Sequence, residues 1–191
     1  MKWRRFGWLI LGVLSWCAYA EETVVPVQPV ATQDSAGALK NYEGRWVGHF
    51  TIHSTTSDYS ETFPVEQQYW WKEGVLHGLA VTERDVGISS ARSKSVMENG
   101  QYFSEVEAGA AIENYWGVLH DGGLIWFSSD LKRTKDYQMK ESIVEVDGER
   151  VLKTEGFNTY LTGDGLAYLV YRGELKFVEK GGCCWLAVGS F

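Results

Sequence analysis

Four ionisable side chains stand where alternate-residue spacing would turn them toward a protein interior. Val75, His77, Leu79, Val81 and Glu83 share one row of an extended segment, placing an imidazole and a carboxylate among apolar neighbours. Glu141 falls between Met139 and Ile143 on another such segment, and Glu61 and Gln67 flank Phe63 and Val65 on a third. If His77 meets a carboxylate from a neighbouring strand, the pair can act as base and acid or fix the polar end of a ligand. The competing readings are a solvated rim, or a β-bulge that turns the row to the other face. Arg84 and Arg92 read as solvated surface groups.

Other chemistry is excluded more directly. His49 and His53 are four residues apart, roughly 13 Å at strand rise, too far to hold one zinc ion together. Both lie opposite Trp46 in the alternation and read as surface groups, and His120 reads as a turn residue before Asp121-Gly122-Gly123. The turn 162–165 has too few oxygen ligands for a calcium loop. No phosphate loop, dinucleotide fingerprint or Gly-x-Ser-x-Gly elbow occurs. Cys183 and Cys184 are adjacent, with Cα atoms about 3.8 Å apart, closer than the usual disulfide range of about 4.4–6.8 Å. They read as two small buried side chains or a mixed-disulfide site, with a redox or soft-metal role as the alternative. No framework of bridges is present.

The elements that must position these groups are short and extended. Gly44, Trp46, Gly48, Phe50 and Ile52 form one face of a first strand, with Arg45, Val47, His49, Thr51 and His53 opposite. Nine further segments follow at 61–71, 75–85, 90–97, 101–108, 112–119, 124–129, 137–146, 151–161 and 166–178. Tight turn signals separate most of them, among them Glu73-Gly74, Asn99-Gly100, Asp121-Gly122 and Asp147-Gly148. No stretch carries a sustained helical apolar stripe, although 36–42 can form one helical turn. A meander of about ten strands with one apolar face closes economically into an up-and-down barrel, because closure removes both edges. The expected fold is therefore an all-β, single antiparallel up-and-down barrel. Its interior is expected to include Trp46, Phe50, Tyr69, Trp71, Trp116, Trp126, Met139 and Tyr171 beside His77, Glu83 and Glu141. An interior of this size is either filled or hollow enough for one small ligand.

Residues 1–20 read as a cleavable signal peptide. Lys2, Arg4 and Arg5 precede an apolar run from 6 to 14 that is too short to span a bilayer, and Ala18-Tyr19-Ala20 makes an A-x-A cleavage site. Trp16 before Cys17 does not suit a lipobox. Residues 21–41 read as a Pro- and Val-rich linker ending in the helical turn, and 42–191 as the barrel domain. Export to the periplasm or beyond follows, with no transmembrane span in the mature chain. Cleavage moves the formal charge from −7 to −10, which argues against nucleic acid and anionic membrane partners. A terminal Phe191 suits an outer-membrane barrel, but charged and polar side chains on the two faces of segments such as 92–95 do not suit a lipid-facing band.

Gly44-Arg45-Trp46 with Gly48, opening a meander that runs to about residue 178, resembles the start of the lipocalin-like (calycin) superfamily. The resemblance implies a lumen that takes an apolar or amphipathic small molecule, held without being transformed. An Arg packing on the tryptophan belongs to the same pattern, and Arg172 is the candidate for it. Similar haem-binding barrels ligate iron through a histidine. His77 is the one histidine in an inward row, the surrounding sequence does not otherwise match, and haem is not the expected cofactor. Two rival readings remain. One is a filled barrel acting as an envelope interaction module, with an apolar patch around Trp185 and Phe191. The other is a barrel enzyme using His77 with Glu83 or Glu141. Ligand identity and oligomeric state are not legible.

Overall fold

Ten antiparallel strands close on themselves in sequence order. The computed structural model describes residues 36–131, 136–162 and 165–179. The leader, most of the linker, the cysteine pair, Trp185 and Phe191 lie outside the described residues. A one-turn helix α1 (Ala36–Lys40) leads into β1 (Gly44–Ser54), β2 (Ser60–Lys72), β3 (Val75–Arg84), β4 (Gly87–Glu98) and β5 (Gln101–Ala108). The ring continues through β6 (Ala111–His120), β7 (Gly123–Ser128), β8 (Tyr137–Val146), β9 (Glu149–Thr162) and β10 (Gly165–Glu179). Each strand pairs with its sequence neighbour, and β10 returns to pair with β1, so no edge is left open.

Register around the ring is fixed at one end by four two-residue turns. Glu73-Gly74, Asn99-Gly100, Asp121-Gly122 and Asp147-Gly148 all have positive φ at both central positions, the type I′ geometry whose twist matches the flanking strands. In such a turn the flanking residues face one another, so Lys72 pairs with Val75, Glu98 with Gln101, His120 with Gly123 and Val146 with Glu149. The inward rows follow by counting. Trp46 lies opposite Gln67 and Phe177, Trp71 opposite Leu76, Tyr102 opposite Gly117, and Glu141 opposite Thr154.

Three expected lumen residues are therefore on the outside. Trp71 faces in and pairs with Leu76, so Leu76, Gly78, Ala80, Thr82 and Arg84 form the inner row of β3, and His77 and Glu83 point outward. His77 stacks on the outward Trp70 at 5.8 Å, and Glu83 is exposed. The turn between β5 and β6 pairs Ala108 with Ala111, which puts Tyr115 and Gly117 inside and Trp116 outside, stacked on Phe127 at 4.5 Å. No bulge is involved. Carrying the face of β2 or β5 across its two-residue turn gives this result.

The two ends differ. At the end with the I′ turns, Trp46, Tyr102, Leu124, Leu152 and Leu175 are at most 1 % exposed, and Leu39 and Tyr42 from α1 and its exit pack onto them. The Trp46 indole donates to the Tyr42 carbonyl at 2.7 Å and meets Phe177 edge-on. Arg150 lies over both rings, at 5.2 Å and 4.6 Å from their centroids, and donates to the Asn41 carbonyl at 2.6 Å. Arg150, not Arg172, is thus the arginine against the tryptophan, because Arg172 pairs with Thr51 and Glu155 on the outer face. At the other end Ser89, Ala108, Ala111 and Glu113 belong to inward rows yet are exposed, so this mouth is open to solvent. The outer face carries the ion pairs Arg45–Glu66, Lys94–Glu105, Lys153–Glu174 and Lys176–Glu149.

Gly48 is where backbone meets backbone most closely. A Cβ there would land on the Glu174 carbonyl oxygen and within 2.8 Å of the Leu175 Cα, neither of which can move without opening the β1–β10 ladder. Gly48→Ala is expected to destabilise the barrel by about 1–3 kcal/mol. Urea unfolding followed by fluorescence should show a lower midpoint with unchanged m-value.

Candidate functional site

Between the sealed end and the open mouth lies a cavity of about 250 Å³. Most of its lining follows from the inward rows, and Leu79 and Arg92 from the outward rows of β3 and β4 also border it. Phe50 from β1, Tyr69 from β2, Val106 from β5, Trp126 from β7 and Met139 from β8 supply apolar surface. Ser93 and Ser95 from β4, Ser104 from β5, Tyr115 from β6, Tyr137 from β8 and Thr154 from β9 supply hydroxyl groups. Trp126 occupies the space left by Gly117, where a Cβ would come within 2.7 Å of its ring. A larger groove of about 730 Å³ runs over the outside of β1, β9 and β10. Its Lys153 and Lys176 are already paired with Glu174 and Glu149, which makes it a solvated surface, and the lumen is the candidate site.

Glu141 is the ionisable group at the heart of this lining. The barrel wall encloses it, yet it keeps accessible surface because it faces the cavity. Its Oε2 accepts the Trp126 indole N–H at 2.9 Å, and the Tyr42 hydroxyl donates to it as well. Burial pushes its carboxyl above the usual carboxylate range, and these two hydrogen bonds only partly oppose that. No cation stands among the groups that act on it. Burial likewise pushes the Tyr42 phenol well up, with the Glu141 charge adding to the effect, and it raises Tyr69 and Tyr137 in the same sense. Two buried polar atoms find no partner among the described residues, Trp71 Nε1 and Thr154 Oγ1.

The mouth is built differently. Arg84 on β3 clasps Glu61 on β2 through two nitrogens and also donates to the Tyr59 hydroxyl at 3.0 Å, while its guanidinium lies 5.2 Å from the Phe63 centroid. The Arg84 and Tyr59 hydrogen bonds hold the Glu61 carboxyl down at about 2. Around the opening, Tyr59, Val86, Ile88, Ile112, Leu131 and Leu166 are exposed, on the connections at this end or on the strand residues next to them.

Of the residues expected in the lumen, Phe50, Tyr69, Trp126, Met139 and Glu141 line the cavity together. Trp46, Trp71 and Tyr171 are on inward rows but do not border it. His77, Glu83 and Trp116 are outside, so a His77 pair with Glu83 or Glu141 does not form in the lumen. His49, His53 and His120 are on outward rows too, which leaves no imidazole facing the lumen to ligate a haem iron. Among the described residues, no three of His, Cys, Asp and Glu cluster as a metal site, and no helix is long and apolar enough to cross a membrane. Sequence reasoning missed Tyr42, the serine row of β4 and β5, and Thr154. Counting through the two-residue turns finds the serines and Thr154, whereas nothing in the pattern brings Tyr42 over Glu141.

No family model matches the chain, and no curated protein matches it at a significant level. What fold and site define is a closed, ten-stranded antiparallel barrel with one sealed end and a mixed apolar and hydroxyl lumen.

Glu141 ties stability to pH with a definite sign. As pH rises above its ordinary value near 4.5, the unfolded chain releases this proton while the folded barrel keeps it. Stability therefore falls with rising pH until the raised folded-state value is passed. Glu141→Gln removes that slope and is expected to raise the thermal midpoint at neutral pH relative to wild type. Melting curves at intervals between about pH 5 and 8 should show the two proteins diverging as pH increases.

Proposed function

We propose that the chain is an exported, lipocalin-like barrel that holds a small apolar or amphipathic molecule in its lumen without transforming it. The observation that carries this reading is the cavity itself, a space of about 250 Å³ left unfilled inside a barrel whose other end is plugged by the buried Trp46, Leu39 and Tyr42. A filled scaffold would have no such space. Export is supported by the leader's basic, apolar and A-x-A pattern. Lipocalin-like membership is supported by the Trp46 on the first strand after a one-turn helix, with Arg150 across it. The ring has two strands more than the eight of lipocalin barrels, so the likeness lies in the closed end and the meander.

Against an enzyme stands the loss of the histidine–carboxylate pair, which leaves Glu141 alone among the proposed acid–base groups in the lumen. The volume sets the ligand size. It exceeds the ~150 Å³ apolar cavity that takes benzene and falls below the ~300–1,000 Å³ of drug-sized sites. One ring with a short substituent, or a short branched chain, fits. The exposed apolar side chains around the mouth offer such a molecule a first contact before it enters.

Ala80→Phe adds an aromatic ring to the inner row of β3 where it borders the cavity. Ligand-observed NMR with a panel of one-ring compounds should find binders for wild type and lose them with Ala80→Phe. His77→Ala, on the outer face, should leave the same binders unchanged. Loss of binding with His77→Ala alone would overturn the assignment to the lumen.

A further inference from the structure

Glu141 and Thr154 are direct cross-strand neighbours on the inner face of β8 and β9, and both border the cavity. Side chains so placed have Cβ atoms about 4.5–5.5 Å apart, a span that one atom between their polar ends can bridge. The Thr154 side chain is 2 % exposed and its hydroxyl has no partner among the described residues. On its other flank stands Gly173, which has no side chain to reach it. A buried hydroxyl left alone costs about 1–3 kcal/mol, so the position asks for something the chain does not supply.

Glu141 asks for the same thing. Trp126 and Tyr42 both donate to it, so acceptor capacity is already used from two sides. In its protonated form, which burial favours, the carboxyl carries one O–H of its own, and no protein acceptor is assigned to it. Two donors thus meet at one corner of the lumen, with Phe50 and Met139 nearby as apolar wall.

We propose that the ligand is a compact, uncharged molecule with a carbonyl-type oxygen, seated to accept hydrogen bonds from the Thr154 hydroxyl and the Glu141 carboxyl at once. An sp² oxygen has two lone pairs and suits two converging donors. An ammonium group would bring only donors to this corner and require Glu141 to ionise in an enclosed site. A ligand carboxylate would add negative charge beside Glu141, on which no cation acts. The inference rests on the reading of the lumen as a ligand site and names the class of molecule it takes.

The test uses the full-length protein with four probes of one shape: acetophenone, ethylbenzene, 1-phenylethylamine and benzoate. Affinities are measured for wild type and Thr154→Val, an exchange of nearly equal shape that deletes only the unpartnered hydroxyl, and the carbonyl stretch of bound acetophenone is recorded by infrared spectroscopy. Acetophenone is expected to bind at least fivefold more tightly than ethylbenzene, about the worth of one net hydrogen bond. Thr154→Val should lower acetophenone affinity about fivefold, leave ethylbenzene unchanged, and move the bound carbonyl stretch to higher frequency. Ethylbenzene binding as tightly as acetophenone would sink the head-group assignment while leaving the lumen as a binding site. Tighter binding of the amine or of benzoate, or no response of affinity and stretch to Thr154→Val, would do the same. Failure of all four probes to bind would remove the lumen reading and this one with it.

Discussion

The Trp46 indole is held from below by the Tyr42 carbonyl and from above by the Arg150 guanidinium, and the rest of the barrel depends on that clamp. A ring of ten strands encloses more width than aromatic side chains of one strand can fill, so one end must be closed by something else. Here the chain closes it with its own entry segment. Leu39 and Tyr42 fold over the end of β1, the indole N–H reaches back to them, and Arg150 crosses from β9 to the Asn41 carbonyl. Burying a tryptophan of this size is worth several times a single hydrogen bond. The hydrogen bond and the cation–π contact, worth about 0.5–2 kcal/mol, decide where the ring sits. With that end closed, whatever space remains belongs to the other end.

Glu141 then explains why the space is not simply more core. A carboxyl on an inward row cannot be covered by apolar side chains without cost, and Tyr42 and Trp126 answer only part of its demand. Tyr42 links the two features, since its carbonyl fixes the Trp46 clamp and its hydroxyl serves Glu141. The plug and the polar corner of the cavity are thus parts of one hydrogen-bonded unit. At the mouth the opposite solution is used, where Arg84 neutralises Glu61 within reach of water.

The architecture was legible because its signals are local. Ten extended runs, four positive-φ turn pairs and one tryptophan row suffice to infer a closed meander, and the ring found in space has that order. Faces were legible wherever a large aromatic anchored the row, as on β1, β2 and β7. They were misread on β3 and β6, where both faces carry apolar side chains and alternation alone cannot choose: Val75, Leu79 and Val81 on one side of β3 compete with Leu76 and Ala80 on the other. The turn Glu73-Gly74 resolves this, since Trp71 inside forces Leu76 inside. Trp116 was misread because size suggests burial, whereas Gly117 beside it is the inward residue that makes room for Trp126. Arg150 over Trp46 and Tyr42 over Glu141 were beyond reach, because each joins elements far apart in the chain without any pattern in sequence.

Occupancy of the lumen rather than the outer wall is the claim on which the functional account stands, and the tryptophans report on it separately. Trp126 borders the cavity with its indole N–H bonded to Glu141, while Trp116 and Trp70 stack on the outer face. Indole N–H resonances of the ¹⁵N-labelled protein, assigned by single substitution, can be followed as acetophenone is added. The account predicts that the Trp126 resonance shifts in a saturable way while those of Trp116 and Trp70 stay in place. A saturable shift of Trp116 or Trp70 with Trp126 unmoved would contradict it.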